Sequence, residues 1–462
     1  MADSAPKLFG TDGIRGRYGN EPLTEPSIRR IGAAIGQALS SQKASSRAKP
    51  PLRVLLGRDT RGSGPEILNA LNAGLASEKY ECVDLGVLPT PGVAYSVRNL
   101  GAAAGIVISA SHNPAADNGI KVFGSDGFKL ADEIEDAINR AYSTQSDIDA
   151  GNRQGTSSHQ HVQAYKDHLL AFAHELGSDK PLNGKTLVVD CAHGAASALA
   201  PDIFRELGAN VIEHGTSPNG DNINLDCGAL YPENLSDIIL KEKADGGVCF
   251  DGDSDRVILL DETGRVLDGD HILAILAREL KASGQLAGDH VVGTVMANLG
   301  LELCMKDLGV SLVREAVGDR YVVARMLCDD YVLGGEQSGH IIHFTRGSTT
   351  GDGIFTAINV LARIWSKDET LSANANILEK FPQVLTNVRV REKPPLNDLP
   401  GMPEALLALE NDLGERGRVV LRYSGTEDLA RVMVEGAELG KTQQHAQAIA
   451  SVVEKEIGAD ER

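Results

Sequence analysis

Three aspartates alternate along a short glycine-containing segment, in which single residues separate Asp251, Asp253 and Asp255. On a tight loop, carboxylates at this spacing can converge on one hard cation, and ligands that are all oxygen suit Mg²⁺. Without a cation the three convergent carboxylates would repel one another, which argues against an acidic surface turn. We therefore expect a divalent metal site, with Mg²⁺ as the ion.

An EF-hand is the alternative that this spacing raises, because Glu262 stands where the twelfth residue of such a loop would be. The sixth position is Arg256, however, where an EF-hand requires glycine. The flanking segments 246–250 and 257–261 are typical of strands, whereas an EF-hand needs a helix on each side. The segment is predicted to be a loop between two strands.

A second polar segment, SASHNP at residues 109–114, directly follows the apolar run 105–108. The run is rich in β-branched residues and predicts a buried strand, which the small polar residues and the proline must end. Ligands of open α/β sheets bind at the carboxyl ends of the strands, so the hydroxyls of Ser109 and Ser111 and the imidazole of His112 are candidate site groups. An ordinary turn, with the serines bonded to their own backbone, explains the same residues.

Two further loops carry groups that can bind hydroxyls and phosphate. Residues 334–340 (GGEQSGH) offer Glu336 and Ser338 for hydroxyls, together with the imidazole of His340. Residues 422–426 (RYSGT) combine a cation, two hydroxyls and a glycine whose N–H can approach an anion closely. Each loop alone is also typical of a turn. Taken together, the four loops are best explained by a single cleft that they enclose.

The elements that must position these loops repeat in outline. Strand-like segments at 53–57, 186–190 and 291–295 each lead into a polar loop and a helix, and each is followed by one of the first three loops. After about residue 377 the pattern is that of a smaller α+β domain. We predict an α/β protein with three similar tandem α/β domains and a C-terminal α+β domain around a central cleft. The predicted domains are residues 1–155, 156–260, 261–375 and 376–462.

Composition excludes several classes of function. The formal net charge of −19 and the pI near 5.1 argue against nucleic acid or an acidic membrane surface as a partner. No apolar run approaches the length of a membrane span, and the first residues lack the features of a signal peptide. The six cysteines form no CxxC pair, which is typical of buried, reduced thiols. We expect a cytoplasmic protein.

Eight segments of the chain stand in the order found in a known family: GTDGIRG, ISASHNP, NGIKVF, DGDSDR, VGDRYV, GGEQSGH, TTGDGI and RYSGTED. On these segments the chain resembles the α-D-phosphohexomutases from Phe9 to about Gly436. The resemblance implies four domains around a central cleft and a small-molecule phosphosugar as the substrate. We expect a monomer or a homodimer.

The resemblance also implies roles for individual residues. It makes Ser111 the residue that carries the phosphoryl group. The implied ligands of Mg²⁺ are Asp251, Asp253, Asp255 and the phosphate on Ser111. The residues implied to line the reacting centre are Arg15, Lys121 and His340. Those implied to bind substrate are His112, Arg256, Glu336, Ser338, Arg422, Ser424, Gly425, Thr426 and Arg431.

Two residues depart from the family pattern, which usually has proline at the positions of Tyr423 and Asp428. Loss of the first proline loosens the backbone of the loop at 422–426. Asp428 adds a carboxylate beside a predicted phosphate site. Both departures bear on the affinity of that site.

The implied reaction interconverts glucosamine 6-phosphate and glucosamine 1-phosphate, a step toward UDP-N-acetylglucosamine and the peptidoglycan of the cell wall. Phosphoserine at Ser111 donates to the free hydroxyl and gives glucosamine 1,6-bisphosphate, which turns over and returns its other phosphate. A mutase needs a second phosphate site, which residues 422–426 supply, whereas a phosphatase does not. The alternatives are a phosphoglucomutase or phosphomannomutase, a metal-dependent sugar-phosphate phosphatase and a non-catalytic calcium-binding protein.

Lys121 has two interpretations. In the apolar segment GIKVF, burial could lower its pKa enough for the amine to serve as general acid and base. Alternatively, Lys121 is a fixed cation that clamps phosphate. The sequence leaves both open.

Overall fold

The computed structural model describes residues 8–10, 12–41, 52–148, 156–157, 160–424 and 428–459. Within these residues the strands form four sheets, each built from one continuous stretch of chain. The predicted site residues Gly425 and Thr426 lie outside the described residues.

The first sheet has the strand order β1-β5-β4-β2-β3-β6. Its strands are β1 (Ile14–Arg17), β2 (Arg53–Arg58), β3 (Glu81–Val87), β4 (Ala104–Ile108), β5 (Asp117–Gly124) and β6 (Thr156–Ser157). Its helices are α1 (Glu25–Ser41), α2 (Gly64–Ser77), α3 (Thr90–Leu100) and α4 (Asp132–Thr144). Strand β2 is apolar on both faces: Val54 and Leu56 pack in the cluster that contains α1 and α2, and Leu55 packs in the cluster that contains α3. Helices therefore cover both faces, as a parallel core strand requires.

The second sheet has the order β11-β10-β9-β7-β8. This region comprises α5 (Gln160–Glu175), β7 (Thr186–Asp190), α6 (Ala200–Glu206), β8 (Asn210–His214), α7 (Ser236–Glu242), β9 (Gly246–Phe250), β10 (Val257–Asp261) and β11 (Val266–Leu267). Strands β10 and β11 form an antiparallel hairpin. A domain boundary at residue 260 falls inside this hairpin, so we propose that the second domain extends through Leu267.

The third sheet has the order β13-β12-β14-β15, and the fourth, fully antiparallel sheet has the order β16-β18-β17. The third region comprises α8 (Gly269–Ala282), β12 (His290–Thr294), α9 (Leu299–Asp307), β13 (Ser311–Glu315), α10 (Asp319–Cys328), β14 (Leu333–Gly335), β15 (Ile341–His343), α11 (Gly353–Trp365) and α12 (Leu371–Ala375). The fourth comprises β16 (Gln383–Arg389), α13 (Met402–Leu413), β17 (Gly417–Tyr423), β18 (Leu429–Gly436) and α14 (Leu439–Ile457).

The first three sheets repeat one arrangement, which confirms the predicted repeat. In each, a central strand (β2, β7 or β12) has a parallel neighbour on either side. One of those neighbours (β4, β9 or β14) is followed by an antiparallel strand. The loops at 109–116, 251–256 and 336–340 leave the carboxyl ends of β4, β9 and β14. The three polar loops thus occupy equivalent positions in the three sheets.

The first three regions also share one hydrophobic cluster. It contains Leu55 of the first region, Phe250 of the second and Trp365 of the third. Within it, the rings of Phe172 on α5 and Phe355 on α11 stack with their centroids 4.0 Å apart. The fourth sheet has a separate cluster with α13 and α14.

The fourth sheet contacts the third region through buried polar groups. Asn298 donates to the backbone oxygen of Phe381 at 3.0 Å and to Glu435 Oε1 at 3.1 Å. Arg418 donates to the backbone oxygen of Ala297 at 2.8 Å and pairs with Glu435 at 2.7 Å. This connection is polar, in contrast to the apolar contacts among the first three sheets.

The cysteines agree with the prediction in part. All six are free thiols and five are buried, but Cys328 at the end of α10 is exposed, so the prediction that all are buried is wrong for this residue. No helix among the described residues is long and apolar enough to cross a membrane.

Candidate active site

The loop after β4 gives its two serines different roles. Ser109 is the turn residue, because its hydroxyl donates to Asp59 Oδ2 at 2.6 Å and accepts from the backbone N–H of Ser111 at 2.9 Å. Ser111 lies in the left-handed region with φ of 52°, and its hydroxyl donates to Asp251 Oδ2 at 2.6 Å. Ser109 therefore makes the ordinary turn that the sequence also allowed. This turn places Ser111 against the loop of the three aspartates, residues 251–256, which we call the aspartate loop.

Arg61 clamps this loop from behind. Its side chain is fully buried, and Nε donates to Asp59 Oδ2 at 2.9 Å. The two terminal nitrogens donate to the backbone oxygens of four loop residues, namely Ser111, Asn113, Pro114 and Asp117. Asn224 of the second region donates to two of the same oxygens, those of Ser111 at 2.9 Å and Asn113 at 3.0 Å. The loop carbonyls are thus held from two regions of the chain.

We expect Arg61→Ala to loosen this loop strongly. The change leaves Asp59 buried without its cation and frees the loop oxygens, and breaking a buried pair in this way costs about 3–5 kcal/mol. Hydrogen exchange measured by mass spectrometry should show faster exchange in residues 109–118. Arg53→Ala, at the start of the strand β2 that precedes Arg61 and in an exposed pair with Glu81, is the control and should change exchange little. Equal exchange in the two variants would contradict the clamp.

The aspartate loop between β9 and β10 gathers three buried carboxylates. One oxygen from each of Asp251, Asp253 and Asp255 lies within 4.8 Å of the others. Lys121 Nζ donates to Asp253 Oδ2 at 2.7 Å and to Asp255 Oδ2 at 3.1 Å. The loop is flanked by strands on both sides, as predicted, and lacks the helices of an EF-hand.

The pKa values of these groups reflect crowded, buried charge. Burial, and then Asp255 and Asp253, raise the pKa of Asp251 to about 8. Burial opposes the charge of Lys121, but the two aspartates outweigh it and hold the pKa of Lys121 well above its usual range. In this structure Lys121 is thus a cation held by two ion pairs.

The donor set fits a hard divalent cation. Asp253 Oδ1 is buried and accepts no hydrogen bond from any described residue. An unsatisfied buried carboxylate oxygen is costly, and a cation bound there would satisfy it. Three convergent carboxylates without nitrogen or sulfur ligands match the preference of Mg²⁺ for oxygen.

His112 and Arg256 lie beside the Ser111 hydroxyl. His112 Nδ1 is 3.4 Å from Ser111 Oγ and 3.0 Å from Nη1 of Arg256. Burial, followed by the charges of Arg256 and Arg15, lowers the pKa of His112 to about 4. His112 is therefore neutral near pH 7 and can accept the hydrogen bond from Arg256.

His340 connects the third loop to the aspartate loop. Its Nδ1 lies 3.5 Å from Asp255 Oδ1, and its Nε2 lies 3.6 Å from Asp319 Oδ2. Burial opposes its charge, but Asp255 and then Asp319 raise the pKa of His340. On the same loop, Glu336 Oε1 accepts from the backbone N–H of Gly318 at 3.1 Å, and Ser338 is exposed.

Arg15 reaches the site from β1. Its Nη1 donates to the backbone oxygen of Ala110 at 3.0 Å and to Asn113 Oδ1 at 3.0 Å, and its Nη2 pairs with Asp12. Lys129 bridges Asp12 and Asp319, at 2.6 Å from each. Arg15 thus contacts the loop that carries Ser111 directly, and a chain of ion pairs through Asp12, Lys129 and Asp319 connects it to His340.

The described residues of the fourth segment lie at the β17–β18 pair, where Arg422 and Tyr423 end β17 and Ser424 follows it. Arg422 and Arg431 are opposite one another across the two strands, and Ser424 is buried. Burial and then Arg431 lower the pKa of Arg422. Two cations placed this close favour an anion between them.

The two departures from the family pattern have partners of their own. The Tyr423 hydroxyl donates to the backbone oxygen of Pro394 at 2.5 Å. Asp428 pairs with Lys393 at 3.1 Å. The first contact holds the Tyr423 side chain, whereas Asp428 is largely exposed and its pair with Lys393 only offsets part of the added negative charge.

Sequence reasoning assigned no role to several residues that hold the site together: Arg61, Thr90, Asn224, Lys129 and Asp319. Their contacts join residues far apart in the chain, which no local pattern reveals. Usable signals existed for two of them. RDTR at 58–61 follows a buried strand at the same sheet edge as the serine loop, and Asp319 lies in VGDRYV, one of the eight segments that carry the resemblance.

Comparison with known proteins identifies the family. Four sequence models described as phosphoglucomutase/phosphomannomutase, alpha/beta/alpha domains I, II and III and C-terminal domain, match residues 6–149, 163–264, 268–381 and 385–452. A phosphoglucosamine mutase of Symbiobacterium thermophilum is 44% identical over 457 residues, covering 98% of this chain and 100% of that protein. The chain belongs to the phosphoglucosamine mutases. A member of this family from Brevibacillus brevis is 45% identical over 98% of the chain and 99% of the relative. By this membership the protein is an isomerase.

Solved structures agree on the fold. A phosphoglucomutase/phosphomannomutase family protein of Burkholderia thailandensis has a TM-score of 0.77 and 24% identity, with 97% of each chain covered. The N-acetylphosphoglucosamine mutase of Aspergillus fumigatus, in complex with GlcNAc-6P and magnesium, has a TM-score of 0.68 and 20% identity, with 98% of this chain and 96% of that chain covered. At these identities the likeness concerns the fold alone.

Proposed function

We propose that this enzyme interconverts glucosamine 6-phosphate and glucosamine 1-phosphate through phosphoserine at Ser111 and a glucosamine 1,6-bisphosphate intermediate. The observation that carries the proposal is the 2.6 Å contact between Ser111 Oγ and Asp251, within a cluster of three buried carboxylates. A serine so placed is next to carboxylates that would hold the cation whose positive charge phosphoryl transfer requires. Full-length relatives of this activity at 42–45% identity support it.

Asp251, Asp253, Asp255 and the phosphate on Ser111 would hold Mg²⁺. When bound, the ion supplies positive charge that stabilises the transferring phosphoryl group. The pairs that Lys121 makes with Asp253 and Asp255 support a role as a fixed cation beside the same phosphoryl group.

The remaining residues divide by position. We assign the reacting side to Arg15, His112, Arg256 and His340, whose contacts are with the serine loop, with one another or with the aspartate loop. Phosphate transfer breaks the bond from phosphorus to Ser111 Oγ and forms one to a sugar hydroxyl, whose proton a nearby base must accept. We assign the sugar hydroxyls to Glu336 and Ser338. The distal phosphate is assigned to Arg422, Ser424, Gly425, Thr426 and Arg431.

A mutase of this kind takes a small phosphosugar from the cytoplasm and needs neither nucleic acid nor a membrane. We retain the cytoplasm as its location and a monomer or homodimer as its state. The product, an amino-sugar 1-phosphate, is of the class needed to make the activated amino sugar for peptidoglycan.

Parallel assays with the 6-phosphates of glucosamine, glucose and mannose test the substrate. The proposal expects the highest kcat/KM for glucosamine 6-phosphate. A higher value for glucose or mannose would reassign the enzyme to the phosphoglucomutases or phosphomannomutases. Release of inorganic phosphate without isomer would identify a phosphatase.

Arg422→Ala tests the distal phosphate site. Loss of a charge-assisted contact worth about 1.5–3 kcal/mol should raise KM and let the bisphosphate escape before it has turned. Each escape leaves Ser111 unphosphorylated, so progress curves should depend on added glucosamine 1,6-bisphosphate far more than in wild type. Arg416→Ala, an exposed residue at the other end of β17, is the control. If Arg422→Ala behaves like wild type with and without bisphosphate, the second phosphate site lies elsewhere.

A further inference from the structure

We propose that Thr90 is a positioning residue that determines which oxygen of Asp253 faces the metal, an inference that rests on the metal site of the proposed function. Thr90 begins α3 and belongs to the first region, whereas Asp253 belongs to the second. Both residues are fully buried. The Thr90 hydroxyl donates to Asp253 Oδ2 at 2.5 Å, and its backbone N–H donates to the backbone oxygen of Asp253 at 3.0 Å.

The two oxygens of Asp253 therefore differ. Oδ2 accepts from both Thr90 and Lys121, the latter at 2.7 Å. Oδ1 accepts no hydrogen bond from any described residue. Two donors on one oxygen fix the rotation of the carboxylate and leave the other oxygen to the cation. Residues that orient a ligand in this way change metal affinity typically 10–100-fold when they are lost.

The position of Thr90 is itself constrained. Pro89 and Pro91 flank it at the start of the helix, so the backbone has little freedom there. Its β-branched side chain also has restricted rotamers. The hydroxyl is thus held in place without the metal. A hydrogen bond from a donor that is already fixed can set the orientation of the ligand carboxylate.

Two pairs of variants isolate the hydroxyl. The first pair is wild type and Thr90→Val, in which a methyl group of similar size replaces the hydroxyl. The second pair is Thr90→Ser and Thr90→Ala, which differ by the same hydroxyl in a smaller side chain. The control is Ser96→Ala in the same helix, because the buried hydroxyl of Ser96 donates to Gly92 within the helix at 2.7 Å. If Thr90→Val fails to fold, the serine and alanine variants still give the comparison.

The measurement is Mg²⁺ binding by isothermal titration calorimetry, on full-length proteins matched by intact mass for phosphorylation of Ser111. We expect the Kd for Mg²⁺ to rise about 10–100-fold in Thr90→Val, and in Thr90→Ala relative to Thr90→Ser. Ser96→Ala should bind like wild type. A lower Tm with an unchanged Kd in the hydroxyl-deleted variants would make Thr90 merely structural and overturn the inference.

The assay needs no turnover, so it separates this inference from the assignment of substrate. If wild type binds Mg²⁺ and the variants bind equally well, the inference about Thr90 fails while the proposed function stands. If wild type does not bind Mg²⁺ at millimolar concentration, the metal site fails and the inference fails with it.

Discussion

Ser111→Ala is expected to lose almost all mutase turnover, about 10³-fold or more, because the change removes the only proposed acceptor of the phosphoryl group. The fold should survive. Serine and alanine have the same backbone cost at a φ of 52°, so the main loss is the hydrogen bond to Asp251, worth about 1 kcal/mol, together with the longer contact to His112. A coupled assay for glucosamine 1-phosphate and circular dichroism measure the two effects.

Peptide mass mapping of the wild-type protein checks the same assignment independently. Phosphate should be found on Ser111 and not on Ser109, since the Ser109 hydroxyl is committed to Asp59 and to the Ser111 N–H. Ser109→Ala is the matched comparison, and any phosphate that this variant carries should still be at position 111. Phosphate on Ser109 would show that the wrong serine has been assigned.

Asp253→Asn should lower kcat by about 10²-fold or more and weaken Mg²⁺ binding. The amide carries no charge, and it can direct an N–H toward Lys121 or Thr90, where the carboxylate now accepts. Activity assayed across a range of Mg²⁺ concentrations distinguishes weaker binding, which excess metal corrects, from lost charge stabilisation, which it does not.

The control for this change is Asp245→Asn, a carboxylate of the same region that accepts from the Thr186 N–H at 2.8 Å and lies outside the site. It should leave kcat and the dependence on Mg²⁺ unchanged. Wild-type activity that persisted after exhaustive chelation would rule out the metal role, whatever the variants did.

Local patterns predicted the loops and their strands well. The apolar run 105–108 is the core of β4, the acidic segment lies between β9 and β10, and the run at 53–57 forms β2. These predictions succeed because burial and turn chemistry act over a few residues. The order of the three similar sheets then brings the loops to equivalent edges.

The sequence could not reveal what holds the loops in place. Thr90 meets Asp253 across 163 positions, and Arg61 meets the serine loop across 50 or more. The sequence could not reveal the charge state of Lys121 either. Its apolar neighbours in sequence suggested a lowered pKa, whereas its neighbours in space are Asp253 and Asp255.

The separate core of the fourth sheet has a consequence for how the protein melts. The first three sheets cannot unfold singly without exposing the apolar surface that they share, so they should melt as one cooperative unit. The fourth sheet is attached through polar groups such as Asn298 and Glu435, so its unfolding exposes little of that surface. Calorimetry should therefore resolve two transitions. Because Asp251, Asp253 and Asp255 all belong to the larger unit, added Mg²⁺ should raise the temperature of its transition and leave that of the smaller one where it is.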